Sequence, residues 1–561
     1  MHFSKSSRAK AVSTSLIAIA LGSLMALTTA PFPFWWLAWV GLVPLWVWTR
    51  RTQGVQEAAG IGFCWGVGYY GVVLSWVLGL HPLTWLGMSW STSLAIAILI
   101  WLFVTFFAAC IPGLWALGFR SLSAALGIGP RLLVGVTLWC LLEGLWSQSP
   151  LWWPDIANSQ SPNNLAIAHL GQLSGLTTLT VALLLVNGLL AEAILIRQRK
   201  YFGLAVLVGL GLHGLGWSLM SPAFSPSTLN SSLSKPSLSN PSESNPSKSN
   251  PSAIQEPNSS GMISVGLIQG NIPTRVKLSP LGVQTSVEVY QTAYQALARQ
   301  GVDAVLLPEG ALPFLWGKSP YDQTLRDSIQ SAQVPLWAGI FVPAPAQPPS
   351  ASTRQPQQAY HQSLIELSGQ DGTIQSQYNK VKLVPLGEYL PFSEQLGRFI
   401  TRLSPIQMSM IPGTQGQTFK TALGQATVGI CYDSAFPELF RTQTARGGQF
   451  ILSIANNDPY NDQMLAQHHA LDVLRAIESD RWLLRATNTG LSAIITPQGK
   501  TQWQSQPRIQ TTHIAQIQRR TTQTLYVRYG NWLLPMLGLS CLVLCLIGLS
   551  RSQTPTAHGQ R

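Results

Sequence analysis

Apolar and polar positions are distributed on two length scales in this chain. Through the first 220 residues the apolar runs are long, falling at roughly 11–30, 34–49, 57–80, 93–118, 132–149, 174–196 and 202–220, with one more near 531–550. Each is of spanning or near-spanning length, since about 20 helical residues cross a hydrocarbon core of about 30 Å. The pattern predicts seven membrane helices over residues 1–221, a large insert, and an eighth helix within 524–561. From Met262 onward the runs shorten to strand length: Val265–Asn271, Val302–Glu309, Val334–Val342, Gln362–Ser368, the run ending at Cys431, and Phe450–Ala455. Amphipathic helices are expected near 286–300, 322–332 and 463–480. Strands alternating with helices predict an α/β or layered sandwich domain over 261–523.

Between the two halves, residues 222–260 are rich in Ser, Pro and Asn. They repeat one five-residue unit three times, from Ser239, Ser244 and Ser249. Such a stretch cannot bury a core and is expected to be a disordered linker.

Charge orients the helices. Lys5, Arg8 and Lys10, then Arg50 and Arg51, then Arg120 and Arg131, then Arg197, Arg199 and Lys200 fall on every second connection, and the loops near 31–33, 81–92 and 150–173 carry no Lys or Arg. The positive-inside rule then puts both termini in the cytoplasm and the insert on the outer side of the membrane. Pro31 follows Ala30 where a signal peptide would be cleaved, so the first apolar run is expected to stay as a helix. The formal net charge of +13 is scattered rather than clustered, which argues against a nucleic-acid partner. Glu143 lies within the fifth run, where a carboxylate needs a partner or a polar cavity; it is expected to position lipid or a neighbouring helix, or to sit at the interface.

Cys64, Cys110, Cys140, Cys541 and Cys545 lie in apolar runs, leaving Cys431 alone in the soluble part. It ends an apolar strand that turns into a Pro-started helix. A thiol at such a corner is expected to be presented and shifted toward thiolate, as a nucleophile would be; a small buried hydrophobe is the alternative. Glu309 ends another apolar strand, as a general base would, and Lys380 stands among apolar residues eight positions before Glu388. An ammonium there can stabilise a thiolate and an oxyanion. Taken singly, each of these charges also reads as a solvated or ion-paired side chain. No metal-ligand spacing appears, no cofactor is expected, and His468 and His469 are read as structural.

These motifs together resemble the nitrilase superfamily with its Glu-Lys-Cys triad and, within it, the apolipoprotein N-acyltransferase branch. The resemblance runs through Gln269–Pro273, Pro308-Glu309, the Lys380 to Glu388 segment, Gly429–Tyr432, Gln467-His468 and Leu484–Gly490, within a frame of seven plus one helices. It implies a polytopic α-helical membrane domain with an inserted α/β nitrilase-like αββα sandwich. Glu309 would be base and Cys431 nucleophile, Lys380 with the Tyr432 N–H would hold the oxyanion, and Glu388 would orient the lysine. It further implies a membrane phospholipid as acyl donor and a diacylglyceryl apolipoprotein as acceptor, with the chain acting as a monomer. The alternative is a membrane-anchored amidase using the same triad on small carbon–nitrogen substrates.

Three positions depart from the family pattern. Asp433 stands where Glu is common, Leu278 where a Trp is expected, and Asn457–Tyr460 replaces a longer Trp-Phe loop. Phe314, Trp316, Phe392 and Tyr460, with the segment from Phe392 to Ile411, are candidates for contact with lipid; core packing is their alternative.

Overall fold

The computed structural model describes residues 5–153, 155–221, 261–347, 357–389 and 409–552. The linker at 222–260 and the lipid-contact candidate Phe392, with its neighbours up to Met408, lie outside the described residues.

The membrane half comprises α1 (Lys5–Ala26), α2 (Val43–Arg51), α3 (Val55–Val73), α4 (Trp90–Ser123), α5 (Ile128–Trp146), α6 (Leu176–Ile196) and α7 (Arg199–Met220), joined after the soluble domain by α12 (Leu533–Ser552). Four of these, α4 to α7, are long and apolar enough to cross a membrane on their own. The expectation of one continuous helix over 34–49 is corrected. A 3-10 turn at Trp35–Trp39 precedes α2, whose nine residues begin with a Pro in the first turn. Pro44 has no N–H to donate and its ring clashes with the carbonyl four residues back, so it is favoured in the first turn of a helix and disfavours a helix that continues through it. The run at 57–80 likewise ends as helix at Val73 and continues as a 3-10 turn, Ser75–Leu80. The count of seven plus one crossings is thus an expectation about how α1 to α3 and α12 lie in the bilayer.

Two acids within this half are paired. Glu143 is buried and accepts hydrogen bonds from the Ile156 N–H at 3.1 Å and the Thr180 hydroxyl at 3.0 Å, tying α5 to α6 and to the loop between them. That agrees with a role toward a neighbouring helix. Arg131, read from sequence as a loop charge, forms a buried ion pair of 2.7 Å with Glu192.

The soluble half stacks two sheets. The first runs β14 (Thr511–Gln518), β1 (Met262–Gln269), β2 (Ala304–Leu306), β4 (Leu336–Gln347), β5 (Gln357–Leu367) and β6 (Ile374–Asn379), with β3 (Leu312–Leu315) beside β4 and β7 (Ser409–Met410) beside β5; the second runs β13 (Thr501–Gln504), β12 (Ala493–Ile495), β11 (Leu483–Thr487), β10 (Phe450–Ala455), β9 (Gly424–Ile430) and β8 (Phe419–Thr421). The strands that carry the site are β1, β2, β4, β5, β6, β9, β10 and β11. Alternate residues of the two sheets meet in one core: Val265 and Leu267, Leu306, Trp337 and Leu364 from the first, Val428, Ile430, Leu452, Ile454 and Leu484 from the second. This is the period-2 alternation by which one face of each strand meets the facing sheet and the other turns away from it. Helices α8 (Pro280–Ala298) and α9 (Tyr321–Ala332) cover the first sheet, and α10 (Pro437–Ala445) and α11 (Asp462–Ser479) cover the second. The expected αββα layering is the architecture observed.

The second helical layer also belongs to the membrane half. Leu439 and Phe440 of α10 and Met464, Leu471 and Ile477 of α11 share one apolar cluster with Trp46, Trp65 and Trp115 of the membrane helices. Helix α11 is accordingly buried on nearly every side. Its internal charges are paired, Asp472 with Arg485 at 2.5 Å and Arg475 with Glu478 at 3.1 Å. A helix packed between a sheet and a bundle cannot show a one-sided apolar stripe, since both faces are covered.

Candidate active site

Parallel strands β9 and β10 run in register up to Ile430 opposite Ile454. Cys431 and Asn456 are thereby set side by side at their carboxyl ends, where open α/β sheets form their sites. Cys431 has φ of +53°, a left-handed conformation that is costly for a residue with a Cβ and that concentrates at functional corners. A 3-10 turn, Cys431–Ala435, intervenes before α10 begins at Pro437. The expectation of an exposed thiol on a helix N-terminus is therefore corrected: Cys431 is only 6% exposed, at the floor of a cavity. Burial, reinforced by Glu309 and Glu388, outweighs Lys380 and pushes the thiol well above its usual value. At rest the sulfur keeps its proton, and attack on a substrate has to pass that proton to a base.

Glu309 leaves β2 by Leu307 and Pro308. Its Oε1 accepts from Lys380 Nζ at 2.9 Å and its Oε2 from the Asn456 N–H at 2.9 Å. This close turn depends on Gly339 of β4, because a Cβ there would stand 2.1 Å from the Pro308 carbonyl and 2.8 Å from Glu309 Cα. Lys380 follows β6; its N–H donates to the Gln362 carbonyl of β5 and its carbonyl accepts from the Gly413 N–H. Its ammonium is buried and also donates to Glu388 Oε1 at 2.5 Å. Burial opposes that charge, but Glu309 and Glu388 together hold Lys380 well above the ordinary lysine range. Glu388 is pushed up by burial and by Glu309 against the pull of Lys380, and its second oxygen accepts from the Val384 N–H at 2.8 Å. One ammonium thus shares two carboxylates, and Glu309, Glu388 and Cys431 line a single cavity of about 260 Å³.

The neighbours of Cys431 act in different directions. The Tyr432 hydroxyl donates to the Pro150 and Trp152 carbonyls of the membrane half, at 2.9 and 2.6 Å, and its ring stacks on Trp153. Its side chain is therefore an anchor between the two halves and does not line the cavity. The Asp433 carboxylate accepts from the Ile430 N–H at 3.1 Å and from the Lys382 N–H at 2.8 Å. It fastens the strand that ends in the cysteine to the segment that carries the lysine. Burial pushes it up to about 7, against those two donors.

The cavity wall comes from both halves. Leu80, Leu83, Trp85 and Ile100 of the membrane half face Phe341, Tyr360 and Met410 of the sandwich, with Lys277 and Leu278 on the same wall. Tyr460 lines it too and packs edge-on against Trp76. Of the two aromatic residues expected to meet lipid, Trp316 is part of the core beneath α8 and α9, with Arg326 over its ring, and Phe314 is half-buried against that core. In sequence, aromatic residues on a strand cannot be told apart by face. Leu278, at the position where a Trp was expected, lines the cavity.

Two motifs singled out in the sequence serve the frame. Asn488, in the Leu484–Gly490 motif, accepts from the Asn271 N–H through its carbonyl and from the Ile272 N–H through Oδ1, clamping the end of β1 to β11. His468 packs its Nδ1 3.1 Å from Asn457 Nδ2, and His469 Nε2 lies 2.9 Å from Thr501 Oγ1. Burial lowers both, to about 3 and about 4, so each stays neutral at ordinary pH. The sequence reading missed Asn456 and Lys277, whose only signals were a polar pair after an apolar strand and a lysine beside an apolar residue.

Comparison with known proteins matches residues 264–526 to the carbon-nitrogen hydrolase family and residues 21–189 to the apolipoprotein N-acyltransferase N-terminal domain. The chain is 42% identical over 527 residues to an apolipoprotein N-acyltransferase of Nostoc sp., covering 92% of this chain and 96% of that protein. It is 43% identical over 532 residues to the protein of that name in Thermosynechococcus vestitus, covering 94% and 95%. A crystal structure of Saccharomyces cerevisiae Nit3, of the nitrilase superfamily, covers 46% of this chain and 90% of its own at 19% identity, with a TM-score of 0.34.

Proposed function

This chain belongs to the apolipoprotein N-acyltransferase family, and from that membership we propose that it carries an acyl chain from a membrane phospholipid, through a Cys431 thioester, to the N-terminal amine of the S-diacylglyceryl cysteine of an apolipoprotein. In the first half-reaction Glu309 takes the thiol proton as sulfur attacks the ester carbonyl. Lys380 and the Tyr432 N–H hold the oxyanion, the ester C–O bond breaks, and Glu309 returns the proton to the departing lysophospholipid. In the second, the amine attacks the thioester, the C–S bond breaks, and the amine's proton is relayed through Glu309 to the sulfur. This is ping-pong covalent catalysis with no net change in charge. Glu388 keeps the ammonium aimed, and Asp433 holds the two catalytic segments together.

The observation that carries this reading is the composite cavity. A Glu-Lys-Cys set would serve a soluble amidase equally well, but here one wall is made by Leu80, Leu83, Trp85 and Ile100 of the membrane half. A substrate resident in the bilayer can reach the thiol along such a wall. The distribution of Lys and Arg supports a catalytic domain on the periplasmic side with both termini in the cytoplasm, and seven plus one crossings are compatible with that orientation.

Incubation with phospholipid radiolabelled in its acyl chains tests the proposal. Label retained on the protein and released by hydroxylamine is the expected result. Turnover of a small amide without any labelled protein would replace it with the amidase reading.

A further inference from the structure

Lys277 belongs to the wall of the catalytic cavity and has no part in the chemistry above. It ends a helical turn, Thr274–Lys277, that two contacts fix: the Thr274 N–H donates to Asp458 Oδ2 at 2.7 Å, and Asn456 Nδ2 donates to Thr274 Oγ1 at 2.8 Å. The side chain is 4% exposed. Among the described residues its ammonium makes one hydrogen bond, to Asn456 Oδ1 at 3.3 Å, although an ammonium has three protons to donate. Burial lowers it to about 8, with Asp458 and Glu309 pulling the other way, so the charged form still predominates at neutral pH. Asn456 is occupied elsewhere, since the same Oδ1 accepts from Asn488 Nδ2 at 2.8 Å.

The charges around the cavity sharpen the point. Among the described residues that line it, the charged ones are Lys277, Glu309 and Glu388. Both carboxylates are already engaged by Lys380, which stands behind them. Lys277 is thus the one cation among the described residues that line the cavity, and two of its three protons have no partner among the described residues. Holding a charge in so dry a site is expensive without a partner, and a phosphodiester is a strong acceptor of matching sign.

We propose that Lys277 binds the phosphodiester of the acyl donor and so selects phospholipids over uncharged acyl esters. This rests on the acyl-transfer reading of the same site. It assigns Lys277 to binding and leaves Glu309, Lys380 and Cys431 their roles. Leu278, next in sequence, lines the same cavity of about 260 Å³ beside Lys277.

The test uses the full-length protein in detergent and compares thioester formation from two donors: a labelled phosphatidylglycerol and a p-nitrophenyl acyl ester, which has no phosphate. For Lys277→Gln the expected result is a 10- to 100-fold loss of kcat/KM with the phospholipid, mostly in KM, and a change under threefold with the p-nitrophenyl ester. Lys277→Arg, which retains the charge should the Gln variant fold poorly, is expected to keep phospholipid use within tenfold. Equal losses on both donors or no loss on the phospholipid in Lys277→Gln, or a loss beyond tenfold on both donors in Lys277→Arg, would overturn the assignment. Failure of the parent protein to form a thioester from any phospholipid would instead remove the acyl-transfer reading itself.

Discussion

Lys380→Arg separates geometry from charge at the centre of the site. The ammonium of Lys380 lies 2.9 Å from Glu309 and 2.5 Å from Glu388, and its side chain is 1% exposed. An arginine keeps the charge but must fit a planar guanidinium where a single nitrogen now sits between two carboxylates. Overpacking of this kind costs about 1–3 kcal/mol, and the fork would draw both carboxylates into bidentate pairs instead of leaving a donor for the oxyanion. Loss of one such donor lowers turnover by about 10²–10³-fold, some 3–4 kcal/mol. Lys382 supplies the control. Its Nζ lies over the Phe436 ring at 4.3 Å, and its backbone N–H, which any residue but proline provides, is what Asp433 binds. A guanidinium can take over the ring contact, so Lys382→Arg should stay within about threefold of the parent. The assay is N-acylation of a diacylglyceryl peptide, with thioester formation measured in parallel. An active Lys380→Arg enzyme, or equal losses at 380 and 382, would refute the role given to Lys380.

Other substitutions probe the remaining parts. Cys431→Ser should fold and insert yet form no hydroxylamine-sensitive adduct, whereas Cys64→Ser should retain the chemistry; N-acylation at parental rate by the Cys431 variant would rule the sulfur out as nucleophile. Gly339→Ala should lower thioester formation by about 10²-fold, because the new Cβ would displace Pro308 and Glu309 and a shift of about 1 Å at a catalytic group costs that much; unchanged activity would mean that Glu309 tolerates the shift. Burial and the two carboxylates hold the Cys431 thiol above its ordinary value of about 8.5. Iodoacetamide labelling, read as the difference from Cys431→Ser, should therefore keep rising with pH through 9, and a plateau below pH 8 would contradict a protonated resting thiol.

The strands whose apolar runs stand free of polar interruption were legible before any coordinates. Phe450–Ala455 coincides with β10, and the helices near 322–332 and 463–480 lie within a residue of α9 and α11. The short edge strands were not, because three or four residues such as Phe419–Thr421 carry too little periodicity to stand out. The segments bearing Glu309, Lys380 and Cys431 could be picked out because each follows a strand whose end is marked by a reactive side chain in an apolar setting. The protonation of Cys431 was hidden, since it depends on burial in the folded chain and on two carboxylates that come from segments more than 40 residues away. Lys277 was hidden for a similar reason: only the fold brings it to the cavity wall and leaves Asn456 shared with Asn488. The break before α2 could have been read from Pro44, had the apolar run not masked it.

The central claim is that one sulfur carries the acyl group between two lipids. Its most direct test isolates the acyl-enzyme, freed of phospholipid, and adds a peptide that begins with an S-diacylglyceryl cysteine. The account predicts that label leaves Cys431 and appears as an amide on the peptide's α-amine in a single turnover, and that the same peptide with its amine acetylated discharges none. Release of free fatty acid to water at the same rate with either peptide would contradict it.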